Sequence, residues 1–242
     1  MGRPWYERAF ESRYLDLYAH RDAAEAARSI EMLAARVSLA DRRVLDVACG
    51  AGRHLAALRA AGARPAGVDL SLPLLRRARA EAPAARADMR LLPVRPRSQD
   101  GALCMFTSFG YFPTAGENRR VLREIAGVLR EEGWFLLDTL NPERTLAVLE
   151  PEGERRVGRA VVREERRYEP EERLLIKRVI WSDPEEGEER WEERLRIFFP
   201  GEMEEELEKA GFRVVEKIGE YDGSPWSARS SRCILLSRTR RN

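Results

Sequence analysis

The 242-residue sequence predicts an α/β fold, a doubly wound and mostly parallel sheet with an antiparallel β insert after its fifth strand. Three observations carry that prediction. Between residues 43 and 141, short apolar runs alternate with amphipathic helical stretches. The run 102–107 (Ala-Leu-Cys-Met-Phe-Thr) is apolar on both faces, as a strand buried in the middle of a parallel sheet must be. Residues 156–199 then abandon that rhythm for runs in which apolar residues alternate with Arg or Glu, the pattern of antiparallel strands with one wet face.

The elements follow in order. Residues 5–37 are helical, with Tyr6, Phe10, Tyr14, Leu17 and Tyr18 recurring at three and four, and Ile30, Leu33 and Val37 lining a second face. Residues 44–47 form the first strand and 53–61 the first crossover helix, stopped at Gly62. The second strand is 65–69. Ser71 caps a helix over 72–82 that tolerates Pro73 in its first turn. Strands at 86–88 and 102–107 precede a helix at 118–129, which is introduced by the capping-box pattern Thr114-Ala-Gly-Glu117. The fifth strand is 133–140. Three insert strands are expected at 159–167, 173–181 and 190–199, separated by Glu169-Pro170 and Asp183-Pro184. A helix at 201–210 ends at Gly211, and strands at 212–218 and 233–237 close the chain.

Composition narrows the function. Charged residues are 35% of the chain, but the net charge is only +2 and the signs are interleaved, so no clustered basic footprint for nucleic acid is present. No run approaches the ~18 apolar residues of a membrane span, and the N-terminus has no apolar signal core. The three Cys have no framework spacing. A soluble, cytoplasmic protein is expected. Two distant His and the scattered Cys make no metal-ligand cluster, and no phosphate-loop motif occurs.

The chemistry-bearing stretch is Asp46-Val-Ala-Cys-Gly-Ala-Gly52, which follows a strand and opens a helix. Gly50 and Gly52 let backbone approach a ligand closely, and the helix start adds unpaired N–H groups. Leu55 stands where the dinucleotide fingerprint wants a small residue, which argues against a pyrophosphate site. Asp69 ends the second strand, where its two oxygens suit the two hydroxyls of a ribose. Asp88 ends the third, ready to accept from an adenine amino group, with Met89 on the ring face. Three acids at successive strand ends imply a nucleoside-like ligand. Cys49, with no adjacent base, reads as a structural thiol.

VLDVACGAGRH, AGVDLS, ARADMRLLPV and CMFTSFGYF together resemble the successive motifs of the class I S-adenosylmethionine-dependent methyltransferases, and TSFGYF with LLDTLNP resembles a subgroup of small bacterial members. The likeness is close over residues 40–141 and looser over 198–216. It implies a Rossmann-like sheet of seven strands whose last strand is antiparallel. It also implies an N-terminal helical lid at 1–40, a core at 41–149 and 200–242, and the β insert at 150–199. The cofactor would be S-adenosylmethionine, leaving as S-adenosylhomocysteine. Carried onto this sequence, Asp46 orients the methionine end and the backbone of Ala48, Cys49, Gly50 and Gly52 contacts the amino acid portion. Asp69 holds the ribose, Leu70 packs on the adenine, and Asp88 and Met89 meet its edge. Phe106 and Thr107 line the methionine end, with Tyr14 and His20 in the lid. No catalytic residue is named. His54 reads as helix packing or a site residue, and Tyr111 as core or acceptor-facing.

Methyl transfer to a small-molecule acceptor is the function this implies. The alternatives are an RNA or protein methyltransferase, a non-catalytic S-adenosylmethionine-binding protein, and a nicotinamide-dependent oxidoreductase. Salt-dependent RNA binding, absence of turnover and binding of NAD, respectively, would reveal them.

Overall fold

The computed structural model describes residues 4–6, 17 and 23–240. The elements of its first part are α1 (Ala23–Ala34), β1 (Arg43–Val47), α2 (Arg53–Ala60), β2 (Arg64–Asp69), α3 (Leu72–Ala78), β3 (Ala84–Arg86), β4 (Gln99–Cys104), α4 (Ala115–Val128), β5 (Leu129–Leu140) and α5 (Pro142–Ala147). Then come β6 (Glu152–Val157), β7 (Ala160–Glu169), β8 (Leu174–Asp183), β9 (Gly187–Arg196), α6 (Pro200–Lys209), β10 (Phe212–Ile218) and β11 (Arg232–Thr239).

Seven strands form one sheet in the order β10-β11-β5-β4-β1-β2-β3. β1 to β5 pair in parallel, and β11 enters antiparallel between β5 and β10. The fold is the Rossmann-like α/β sheet the sequence implies. Its strands alternate at period two with both sides buried. Leu45, Val47, Ala102, Phe135 and Leu235 face the layer of α4, which contributes Val121, Leu122 and Ile125. Val44, Leu103, Trp134, Leu136 and Ile234 face the layer of α1, which contributes Ile30 and Leu33. Each Val, Leu, Ile or Phe among them contributes about 1.5–3 kcal/mol by leaving water. β4 admits Gly101 because the Trp134 indole lies where a Cβ would stand.

Boundaries shift for local reasons. The capping box at α4 is present, with Glu117 N–H donating to Thr114 Oγ1 at 3.1 Å and Thr114 N–H to Glu117 Oε2 at 3.3 Å. That box starts the helix at Ala115, three residues before the expected 118. Ser71 caps α3, accepting from Leu74 N–H, but the helix ends at Ala78 instead of 82. β3 is Ala84–Arg86, so Asp88 lies two residues beyond it. β4 ends at Cys104, and Phe106 and Thr107 lie past it at φ +58° and +61°.

β6 to β9 form a separate antiparallel sheet in sequential order. The sequence pattern predicts three strands there. The fourth, β6, reads Glu-Gly-Glu-Arg-Arg-Val, which has no apolar alternation, and its pairing with β7 is what makes it a strand. One face of this sheet buries Ala160, Val162, Val179 and Trp181 together with Leu17. The other carries cross-strand ion pairs such as Arg163–Glu154 at 2.6 Å and Arg178–Glu165 at 3.2 Å. Among the described residues, no helix is long and apolar enough to cross a membrane.

Candidate active site

The strand order reverses between β1 and β4, so the loops leaving their carboxyl ends diverge and open a crevice. A cleft of about 660 Å³, part of it open to solvent, lies at this edge. Ala48 and Gly50 border it from the β1 loop, Asp69 and Leu70 from the end of β2, and Asp88 and Met89 from the segment after β3. Val68, Leu74, Ala87, Phe112 and Tyr6 supply most of its apolar wall. Ser108 and Tyr111 complete the far side.

The loop after β1 takes a left-handed path, with Ala48 at φ +62°, Gly50 at +54° and Gly52 at +90°. Gly52 does not border the cleft. A Cβ there would come within 2.8 Å of the Ala78 Cα, so this glycine lets α3 pack against the start of α2. The Cys49 side chain is also turned away, buried with Leu55, Leu75 and Ala78. Burial pushes its thiol upward, and likewise Cys104 and Cys233, the last to about 12. None is a nucleophile at neutral pH.

Asp69 anchors the loop. One oxygen accepts from Gly50 N–H and the other from Ser71 N–H, each at 2.8 Å. Burial raises its carboxyl above the ordinary range, with the Ser71, Gly50 and Leu70 N–H groups opposing. Beside these N–H groups the carboxylate keeps acceptor capacity for a ligand hydroxyl. Asp46 is 1% exposed, and its Oδ2 has no hydrogen-bond partner among the described residues. Burial, reinforced by the charge of Asp69 and opposed by Arg53, raises its carboxyl strongly. A buried acceptor open in this way among the described residues has room for a further donor. Asp88 is held by Arg90, whose backbone N–H donates at 2.8 Å and whose guanidinium adds a 2.6 Å contact. Burial raises its carboxyl, but the Arg90 bonds outweigh that and leave it below the ordinary value.

The structure thus gathers Ala48, Gly50, Asp69, Leu70, Asp88 and Met89 around one cleft and sets Asp46 just behind it. Phe106 and Thr107 are not in its wall. The Phe106 ring lies under the Arg53 guanidinium at 3.7 Å and 5.9 Å from the His54 ring. Thr107 accepts from Leu140 N–H at 2.9 Å. His54 is buried, and burial lowers its imidazole to about 3 with Arg53 adding to the effect, so it is neutral at physiological pH. Tyr14 and His20 lie outside the described residues. The sequence did not single out Ser108, Phe112, Leu74 or Ala87. Ser108 and Phe112 belong to the TSFGYF run already quoted, and Leu74 is the apolar inner side of the helix capped by Ser71.

Residues 44–133 match the family described as "Methyltransferase domain". Its motifs and fold are similar to those of the class I S-adenosylmethionine-dependent methyltransferases. It is 32% identical over 108 residues to the ubiquinone biosynthesis O-methyltransferase of Bordetella bronchiseptica, an alignment covering 43% of this chain and 45% of that protein. The chain therefore spans about half the length of the curated relatives it matches. Its fold is similar to that of an S-adenosylmethionine-dependent methyltransferase from Clostridium acetobutylicum, with a TM-score of 0.80, 18% identity and 95% and 96% of the two chains covered. It is also similar to CalS10, an amino pentose methyltransferase from Micromonospora echinaspora whose structure is S-adenosylmethionine-bound, with a TM-score of 0.67, 22% identity and 93% and 96% covered. The family match spans the loop after β1 together with Asp69 and Asp88.

Proposed function

We propose that this protein transfers the methyl group of S-adenosylmethionine to a small-molecule acceptor. The observation that carries the proposal is the cleft itself, in which Asp69 and Asp88 flank an apolar slot at the switch point of the sheet. The residues fit the cofactor. The remaining acceptor capacity of Asp69 suits a ribose diol, and Leu70, Leu74, Met89 and Phe112 suit a flat adenine. The orphaned Asp46 Oδ2 suits an ammonium group at the methionine end. When bound, S-adenosylmethionine supplies a sulfonium-activated methyl group.

The chain's own residues then have little bond chemistry to perform. Ala48 and Gly50 shape the floor on which the cofactor rests, and Asp69 fixes its rotation. Ser108 and Tyr111 wall off the side from which an acceptor approaches, so alignment of the acceptor with the methyl group dominates the rate. The described cleft holds no histidine, and His54, neutral and buried behind Phe106, is not placed to collect the acceptor's proton.

In this reading 41–149 and 200–242 are the methyltransferase core and 150–199 is the insert that shapes acceptor choice, while of the expected 1–40 lid the α1 part packs into the core through Ile30 and Leu33. Leu17 packing into the insert's core and the Arg196 N–H bond to Gly110 O at 2.8 Å support this division. The buried free thiols support a reducing, cytoplasmic setting. The named relatives act on a ubiquinone precursor route and on an amino pentose, which supports a small acceptor bearing a hydroxyl or an amine.

Calorimetry with S-adenosylmethionine, S-adenosylhomocysteine and NAD tests the cofactor, followed by S-adenosylhomocysteine release with panels of phenols and amino sugars. Micromolar binding of the first two with turnover on one panel is expected. Binding of NAD alone overturns the proposal, and tight cofactor binding with no release on any acceptor, RNA or protein included, reduces it to a binding protein.

A further inference from the structure

Behind the cleft, on the α1 side of the sheet, lies a buried polar cluster that the cofactor reading does not use. Its centre is Asp138, near the carboxyl end of β5 and 0% exposed. Asp138 Oδ2 accepts from Phe106 N–H at 2.9 Å and from the Tyr221 hydroxyl at 2.6 Å. Oδ1 accepts from Arg232 Nε at 2.7 Å and forms an ion pair with its Nη2 at 2.7 Å. Three hydrogen bonds and the ion pair occupy the carboxylate, so Asp138 is neither a free general base nor an open ligand. Burial raises the Tyr221 hydroxyl, so it stays a donor.

What these bonds hold is strained. Phe106 and Thr107 are consecutive non-glycine residues in the left-handed region, at φ +58° and +61°. The Asp138 side chain takes the Phe106 N–H and its backbone oxygen takes the Thr107 N–H at 2.9 Å. Thr107 Oγ1 in turn accepts from Leu140 N–H at 2.9 Å and from Arg232 at 3.3 Å. Arg53 and Arg232 both lie against the Phe106 ring, at 3.7 and 5.2 Å. The next residue, Ser108, is already in the cleft wall, followed by Tyr111 and Phe112. The far end of this stretch is tied to α4, where the Asn118 side chain donates to Phe112 O at 2.8 Å. The wall is therefore strung between two anchors, and Asp138 is the one that holds a backbone shape the chain does not adopt unaided.

We infer that Asp138 is a positioning residue for the methyl-transfer site: through the Phe106–Thr107 turn it sets where Ser108 and Tyr111 stand against cofactor and acceptor, without touching either. The inference rests on the cleft being the cofactor site.

The test measures S-adenosylhomocysteine affinity by calorimetry and amide hydrogen exchange in Asp138→Asn, Tyr221→Phe and the pair Asp138→Asn/Arg232→Gln. Asp138→Asn presents an amide N–H₂ where a carboxylate oxygen met donors. It is expected to lose tenfold or more in affinity and to lose protection at Phe106 and Thr107. The double variant restores a donor facing an acceptor and is expected to recover to within about threefold of the wild type. Tyr221→Phe removes one bond, keeps the ion pair, and is expected to lose about threefold, which keeps the test alive where Asp138→Asn does not fold. Leu236→Ala, a cavity on the same sheet face away from the turn, serves as a control matched in Tm loss and is expected to keep its affinity. Wild-type affinity in folded Asp138→Asn and Tyr221→Phe overturns the inference, as does a loss no larger than that of Leu236→Ala. If the wild type binds no S-adenosylhomocysteine, the cofactor reading fails by itself. Exchange then decides the anchor: protection lost only over residues 106–112 supports it, and uniform loss overturns it.

Discussion

The two sheets of this molecule solve the same problem under opposite constraints. The seven-stranded sheet is covered on both faces, and strands such as β4 and β11 are almost wholly buried along their inner lengths. The four-stranded sheet buries one face, and its other face is laced by ion pairs whose side chains remain about half exposed. The backbone irregularities of the cleft, the buried Asp46 and Asp69, and the turn at Phe106 and Thr107 all lie at the edge of the doubly covered sheet. The framework packed on both sides over-determines its loops and holds Asp69 on backbone N–H groups, whereas the insert's buried Glu164 and Asp183 are each met by arginine. The insert, wet on one side, can vary its surface without disturbing that framework.

The sharpest way to break this comparison is to add one methyl group to each sheet. Gly101→Ala drives a Cβ into the Trp134 indole and is expected to destabilise by about 3 kcal/mol in urea denaturation. Gly187→Ala in the β8–β9 turn meets no atom within 4 Å, and its φ of +86° leaves a backbone cost of only about 1 kcal/mol. Equal costs would mean that the two sheets are equally unforgiving.

A pH series probes the buried charge. His54 is lowered to about 3 in the fold, against about 6.5 for an unperturbed imidazole. The unfolded chain therefore binds the extra proton first. Stability from this group is complete above pH 6.5 and falls as the pH drops toward 3, at up to about 1.4 kcal/mol per pH unit. The raised Asp46 and Asp69 act in the opposite sense, gaining stability on acidification. His54→Phe isolates the imidazole. Its Tm is expected to decline less than that of the wild type between pH 6.5 and 5, with a difference equivalent to about 2 kcal/mol at pH 5, and parallel curves would refute the assignment.

At the cleft, Asp69→Ala is expected to weaken S-adenosylmethionine binding by about 1–3 kcal/mol, read by calorimetry on protein whose circular dichroism is unchanged. An unaltered affinity would remove Asp69 from the site. The smallest effect belongs to the insert surface. Arg178→Gln breaks the directly opposed pair with Glu165, and both side chains are about half exposed. A stability change below about 0.5 kcal/mol is expected, shrinking further in salt. A loss of 2 kcal/mol would show that the ion-pair ladder does more than keep the sheet wet.

Much of the sheet was legible because period and burial are local properties of the sequence. The apolar runs around Val44 and Leu103 and the cap residues Ser71 and Thr114 each state their element within a few residues. β6 was not legible, since Glu152–Val157 carries no apolar alternation and exists only through its partner strand. The cleft was half legible. Asp69 and Asp88 are reached by counting strand ends, whereas Phe106 and Thr107 were expected in the wall and instead form the turn that aims it. That turn depends on Asp138, Tyr221 and Arg232, which lie 32 to 126 residues away along the chain. No local pattern in TSFGYF announces partners so distant.

By itself, the sequence determined the order of elements, the loop between Asp46 and Gly52, and the nucleoside-like character of what that loop faces, because each follows from residues within one turn or one strand end. The tertiary structure alone decided which side chains reach the cleft, that Gly52 serves helix packing, and that Asp138 is fully engaged and not an available base. Those outcomes depend on burial and on the saturation of hydrogen-bonding groups, and both are set only when distant segments meet.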